Sequence, residues 1–341
     1  MSATASLVGV FTAGPRRRVP ELTHTAFTCV TVACKQPWMS QAGFNLCFMT
    51  ETFSLTTAEA TLAYDVRGPL PTTGRPPLMM VAAPMDASGF GALATQFPDR
   101  TVVTYDPRGI ARSARHDGRS EHTPQQNAND LHRIVAALDC GPVDMFAGSG
   151  GAVSAMALVA THPRDVAVLV AHEPPLLGLL PDARQAFAAE RIVQDIYAEK
   201  GWGHGMAAFL TMNSIPGELS ASSMDQLALP PSRFGLPHDD DGSRNDPLLS
   251  GASNPITGYE PDFAALEDAP TRIVIAVGAA SRGNLTGRTS EATAQALGQT
   301  ATQFPGDHGG YLSEEFGPGG DPKAFAVRLH EVLDRDDTTR R

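Results

Sequence analysis

Ser149 is the residue in this chain whose neighbours give it chemistry. It stands in Ala147-Gly148-Ser149-Gly150-Gly151, between the apolar run Val143–Phe146 and the Ala-, Val-, Met- and Leu-rich stretch Ala152–Ala160. The run reads as a buried strand, and the stretch as a buried helix ending at His162-Pro163. A serine on so tight a strand-to-helix turn needs small residues two before and two after it, here Ala147 and Gly151. That turn lifts the hydroxyl clear of the sheet and is a nucleophile elbow. The N–H of Gly150, at the helix N-terminus, faces the same space and suits a developing oxyanion. The same residues also fit a flexible turn or part of a dinucleotide loop. The latter wants G-x-G-x-x-G in a first strand–helix unit, whereas Val153 holds the third glycine's place and the loop lies mid-chain.

A serine hydroxyl is inert at neutral pH until a general base takes its proton. Of the 10 histidines, His308 alone lies in a glycine-rich loop after a late strand, Asp307-His308-Gly309-Gly310. His132 and His162 fall in helices and read as surface or packing residues.

The elements that must position these groups alternate between strand and helix. Glu51–Thr56 and Ala60–Val66 read as a hairpin; Leu78–Ala83, Thr101–Tyr105 and Val166–Ala171 as buried strands. A short helix is expected over Ala87–Phe97, with Asp86 as its cap or as a polar contact at the site mouth. A longer one is expected from an N-cap at Thr123 to Leu138. After a break, Arg272–Val277 and Thr300–Phe304 read as strands, Glu291–Leu297 and Pro322–Leu333 as helices. Such alternation predicts an α/β fold, a mostly parallel central sheet flanked by helices. The block 174–262 breaks it, with amphipathic helices over Asp182–Glu199 and Trp202–Met212 and a loop-rich stretch at 230–255. It reads as an inserted helical lid between two parts of one core, 49–173 and 263–341. Trp202, Met206, Phe209 and Met212 belong to its pocket mouth or to its own core.

Residues 1–48 differ from the rest. They carry Arg16, Arg17, Arg18 and Lys35 against a single acid, Glu21, in a chain of net charge −11. Met49-Thr50-Glu51 resembles a protein start, so 1–48 is expected to be disordered or an upstream extension. The acidic balance argues against nucleic acid and anionic membrane as partners. No apolar run reaches the ~20 residues a transmembrane helix needs. Cys29, Cys34, Cys47 and Cys140 show neither metal-ligand nor disulfide spacing, which suits a reducing compartment and a cytoplasmic location. No cofactor or metal is expected.

From about Glu51 to Leu333 the chain resembles the α/β-hydrolase superfamily, in its lidded branch. The elbow carries the resemblance, together with Asp106-Pro107-Arg108-Gly109-Ile110-Ala111-Arg112-Ser113 and the His308 loop. The second is similar to the family's D-x-R-G-x-G-x-S loop, with Ala111 in place of a glycine. The resemblance implies Ser149 as nucleophile and His308 as its base; a serine there disfavours epoxide hydrolases and haloalkane dehalogenases. The family's usual acid position, after Arg272–Val277, holds Gly278 to Asn284 without a carboxylate. Glu173, after the strand that follows the elbow helix, is a position some members use, and it is the expected acid. Its other reading is a partner for His172 or an arginine. The second oxyanion N–H comes from the loop after Leu78–Ala83. That loop lacks the family's His-Gly, and since Pro84 has no N–H, Met85 is the expected donor. Together these imply a serine hydrolase that cleaves a carboxylic ester, thioester or lactone of a small to medium lipophilic molecule. The alternatives are carbon–carbon bond hydrolysis of a diketone-like substrate by the same fold, a hydrolase-like binding or receptor protein with vestigial catalysis, and a haloperoxidase-like activity as a side reaction of the same triad.

Overall fold

The computed structural model describes residues 50–70, 72, 74–316 and 319–335; the expectation for 1–48 lies outside them. Among the described residues, nine strands form one sheet: β1 (Thr50–Thr56), β2 (Ala60–Arg67), β3 (Leu78–Ala83), β4 (Val102–Tyr105), β5 (Ala114–Arg115), β6 (Val143–Ser149), β7 (Val166–His172), β8 (Arg272–Gly278) and β9 (Thr302–Phe304). Their order is β1-β2-β4-β3-β6-β7-β8-β9, with the short β5 paired to β2. β1, β2 and β4 pair antiparallel, and β4, β3, β6, β7, β8 and β9 run parallel. This is the α/β architecture expected from the alternation.

Both faces of the parallel strands are covered, which is why those strands are continuous apolar runs. Met79, Val81 and Ala83 of β3 point into one core cluster, beside Leu131 and Ile134 of the helix Pro124–Leu138 and Val153 and Met156 of the helix Gly150–Thr161. The alternate residues Leu78, Met80 and Ala82 point into the other, with Phe90, Leu93, and Phe325 and Leu329 of the helix Pro322–Leu333. Thr123 caps the Pro124–Leu138 helix by accepting the Gln126 N–H at 3.2 Å, a contact of the kind that contributes about 1 kcal/mol.

The Asp106–Ser113 loop, directly after β4, is a clasp tied by its own hydrogen bonds. Asp106 accepts the backbone N–H groups of Ala87 and Arg112, both at 3.0 Å. Ser113 Oγ donates to the Asp106 carbonyl at 2.7 Å and accepts the Ala63 N–H at 2.9 Å. Arg108 clamps Asp130 through Nε at 2.7 Å and Nη2 at 2.6 Å, in complete burial. Ala111, where the family motif has glycine, takes φ 45°, a conformation that costs an L-residue about 1–2 kcal/mol.

Between β7 and β8 the chain leaves the sheet and forms the helices Ala183–Lys200 and Trp202–Ser214 with several one-turn segments. Ala186, Val193, Tyr197, Ala208 and Met212 give this block a core of its own, joined to the rest through Leu285. Trp202 and Met206 pack against that core. The helix expected over Ala87–Phe97 is a 3-10 turn, Ala87–Phe90, and one helical turn ending at Ala94, and another helix begins well before its expected start. The helix read from Glu291 begins at Leu285. Its first turns hold Thr286, Gly287, Thr289 and Ser290, a low-propensity run that reads as loop. In the fold Thr289 and Ser290 donate to the Thr286 carbonyl, and Thr293 to that of Thr289, so the hydroxyls stay satisfied while buried.

Candidate active site

The site forms where parallel strands end together. The register sets Ala83 beside Ser149, Gly148 beside His172, and His172 beside Ala276, so the loops after β3, β6, β7 and β8 share one edge. Open α/β sheets bind ligands at such an edge.

Ser149 ends β6 and precedes the Gly150–Thr161 helix with φ 53° and ψ −129°. Holding a non-glycine residue there costs about 1–3 kcal/mol, which only close surroundings sustain. Those surroundings are visible in the glycines beside it. A Cβ on Gly151 would lie 2.5 Å from Ala82 Cα, and one on Gly150 2.7 Å from the Ala83 carbonyl oxygen. Gly148 lies as close to the Tyr311 hydroxyl, at 2.7 Å from its hypothetical Cβ. The smallness read from the sequence is therefore a packing requirement against β3.

Glu173 follows β7 directly, also at positive φ (50°), with its N–H donating to the Ala276 carbonyl at 3.1 Å. Its carboxylate is fully buried. Oε1 accepts the Gly278 N–H at 2.8 Å; Oε2 accepts the Thr286 hydroxyl at 2.6 Å and lies 2.8 Å from His308 Nδ1. Burial pushes this carboxyl toward its neutral form. The hydrogen bonds from His308 and Thr286 outweigh burial and hold its pKa well below the usual carboxylate range. His172 is the weaker neighbour, with Nε2 4.0 Å from Glu173 Oε1. Asp307 turns away and accepts the Gly309 N–H at 2.9 Å, closing the His308 loop.

His172 is enclosed by Phe146, Phe304, Tyr311 and Phe325 at ring-centroid distances of 5.3 to 6.2 Å. Neither ring nitrogen has a hydrogen-bond partner among the described residues, and burial pulls its pKa down to about 4. It is a neutral ring at physiological pH, set between Glu173 and the apolar core.

Ser149, Gly150 and His308 line one cavity of about 740 Å³, counted out to its open mouth. Ala83 and Pro84 form its wall beside Ser149, and Met85 follows them with its side chain packed toward the Phe90 cluster. Asp86 faces the short helix instead and caps it through the Ser88 N–H at 2.8 Å. The inserted block covers the opposite side with Leu177, Val193, Phe209, Met212 and Leu248. Of the aromatic and methionine residues singled out in that block, Phe209 and Met212 reach the cavity; Trp202 instead donates to Asp246 at 3.0 Å.

Thr286 and the Gly278 N–H, which fix the carboxylate, were not recognisable from the motifs. The available signal was Asn284, whose position as N-cap brings the helix start forward to Leu285. Among the described residues, His132, His162 and Asp165 form the group whose potential metal ligands approach within 4.8 Å. The two rings stack 3.7 Å apart with planes 7° from parallel, so their lone pairs do not converge on a point. His132 Nδ1 lies 2.7 Å from Asp165 instead. No helix among the described residues is long and apolar enough to cross a membrane.

The chain has the α/β-hydrolase fold. Solved structures it resembles include a homoserine O-acetyltransferase from Staphylococcus aureus, at TM-score 0.58 and 14% identity over 85% of this chain and 97% of that one. A thermophilic esterase from Thermogutta terrifontis aligns at TM-score 0.53 and 18% identity over 83% of this chain and 98% of that one. In sequence, the chain is 29% identical over 283 residues to the uncharacterized hydrolase YraK of Bacillus subtilis, covering 81% of this chain and 94% of the relative. No family model matches.

Proposed function

We propose that this protein is a serine hydrolase that cleaves a carboxylic ester, thioester or lactone of a small to medium molecule through an acyl-enzyme. The observation that carries the reading is the 2.8 Å approach of Glu173 Oε2 to His308 Nδ1, with His308 and Ser149 lining the same cavity. A carboxylate on Nδ1 fixes that nitrogen as the donor and leaves Nε2 free to take a proton. In this mechanism Ser149 Oγ attacks the carbonyl carbon as His308 accepts its proton. The negative charge on the carbonyl oxygen is held by the N–H groups of Gly150 and Met85. His308, now an imidazolium stabilised by Glu173, returns the proton to the departing alcohol, thiol or ring oxygen. Water, deprotonated by His308, then attacks the acyl-enzyme and frees Ser149.

The block between β7 and β8 acts as a lid, supplying an apolar ceiling that excludes bulk water from the acyl group. The partner is a small molecule, and the cysteine usage suits a cytoplasmic setting. A carboxylate buried behind His308 and held by three donors is a costly feature for a mere binding protein, so it favours catalysis over the vestigial reading. A purely structural carboxylate would be neutralised by a fixed cation, as Asp130 is.

Fluorophosphonate labelling tests the proposal. The native protein is expected to label covalently and to hydrolyse p-nitrophenyl esters. Ser149→Ala is expected to do neither, with turnover down by about 10³-fold or more and the fold intact by circular dichroism. A folded native protein that takes no label and turns over no ester removes the reading.

A further inference from the structure

The cavity has a second wall that the reaction above leaves unused. Glu190 and Gln194, one turn apart on the helix Ala183–Lys200, face it together with Ser253, Asn254 and Thr257 from the segment around the one-turn helix Asn254–Thr257. Two of these residues satisfy each other: Gln194 Nε2 donates to Asn254 Oδ1 at 2.6 Å. Thr257 Oγ1 donates to Glu190 Oε1 at 2.8 Å, and the other oxygen of Glu190 has no hydrogen bond to a described residue. Ser253, only 8% exposed, has a buried hydroxyl without a partner among the described residues.

A buried hydroxyl without a hydrogen bond is destabilising, and a ligand group can supply the missing bond. The cavity lining therefore includes one acceptor, the carboxyl of Glu190, which also borders a hollow with Phe187 and Arg191, and one buried group able to donate, Ser253 Oγ. That pairing matches a single hydroxyl, which donates one hydrogen and accepts another. A cation fits less well. Burial pushes the Glu190 carboxyl up to about 7, against the opposing effects of Thr257 and Arg191, so at neutral pH it carries only part of a negative charge.

We propose that Glu190 and Ser253 form a polar subsite for a hydroxyl group of the substrate, so that the natural ester, thioester or lactone is hydroxylated rather than purely alkyl. This rests on Ser149 being the nucleophile. It changes the expected substrate from a lipophilic molecule to one with an apolar body, against Val193, Phe209 and Met212, and one hydroxyl on the lid side.

The test compares p-nitrophenyl alkanoates of four to eight carbons with counterparts carrying one hydroxyl at successive positions, using the native protein, Glu190→Gln and Ser253→Ala. For at least one position, the native protein is expected to prefer the hydroxylated ester by about tenfold or more in kcat/KM, mainly through KM. Each variant is expected to bring that ratio close to one. Fluorophosphonate labelling of each variant shows that its nucleophile is assembled. Equal kcat/KM for every hydroxyl–alkyl pair in native protein, or a ratio that survives both substitutions, overturns the subsite while Ser149 stands. A stronger preference for aminoalkyl esters overturns the hydroxyl assignment. A native protein with neither labelling nor ester turnover overturns the hydrolase reading and the subsite with it.

Discussion

Asp130 and Glu173 are both fully buried carboxylates with both oxygens hydrogen-bonded, yet they belong to different kinds of chemistry. Asp130 meets a permanent cation. Arg108 takes its two oxygens in a fork, with Asp117 at 3.3 Å and Glu59 at 3.5 Å from the same guanidinium. Arg108 and Asp130 neutralise each other in place, and none of these residues lines the cavity. Glu173 meets a backbone N–H, a hydroxyl and an imidazole whose side chain is 40% exposed toward the cavity side of the molecule. Dipoles hold its charge without cancelling it. The lesson is that a buried charge matched by a fixed countercharge clasps the fold. One matched by dipoles and a titratable ring remains available to stabilise a charge that arises during a reaction.

The sharpest way to break this contrast is to remove the charge of Glu173 and keep its shape. Glu173→Gln is expected to lower ester turnover by about 10²–10⁴-fold with little change in KM, because the imidazolium loses its stabilising charge. Steady-state kinetics beside a thermal melt close to that of the native protein checks it. Undiminished turnover would show that His308 does not depend on the carboxylate.

Arg108→Met probes the other partner set. It leaves Asp130 buried opposite an apolar side chain and is expected to cost about 3–5 kcal/mol of stability. Urea denaturation measures this, and turnover per folded molecule is expected to stay near the native value. A large fall in kcat in protein that is still folded would erase the distinction between clasp and site.

The smallest expected effect concerns His172, the neutral neighbour of Glu173. Its folded pKa is down at about 4 against an ordinary 6.5. Below pH 6.5 the unfolded chain therefore takes up a proton that the folded chain refuses until about pH 4. The stability that this ring contributes is complete above 6.5, declines as the pH falls through that window, and levels off below it. His172→Leu is expected to flatten the stability–pH curve between pH 4 and 6.5 by on the order of 1–3 kcal/mol, measured by urea midpoints across that range. An unchanged slope would mean that the ring is protonated in the fold and belongs electrostatically to the Glu173 pair.

Much of the site was legible in the chain itself, for local reasons. The elbow at Ser149 is a steric rule over five residues: Gly151 has to be small because β3 backbone lies within 2.5 Å of its Cβ position. Thr123 as a cap and the apolar runs of β3, β6 and β7 depend on neighbours in sequence. Glu173 emerged because Gly278 to Asn284 offers no carboxylate, leaving the end of the preceding strand. The start of the helix at Leu285 escaped, because Thr286, Gly287, Thr289 and Ser290 are poor helix formers whose hydroxyls are satisfied only once the helix exists.

By itself, then, the sequence determined the tight turn at Ser149, the glycine-rich His308 loop and the alternation that makes a parallel sheet, since each is written in spacings of a few residues. Only the tertiary structure decided how the Glu173 charge is held, that His172 has no hydrogen-bond partner among the described residues, and that Glu190 and Ser253 share a cavity with Ser149. Those facts depend on β7 lying between β6 and β8 and on a block of some hundred residues folding back over their ends. The physical reason is that hydrogen bonding and desolvation act between groups within a few ångströms in space. Glu173 and Thr286 are 113 residues apart, and no local pattern encodes their meeting.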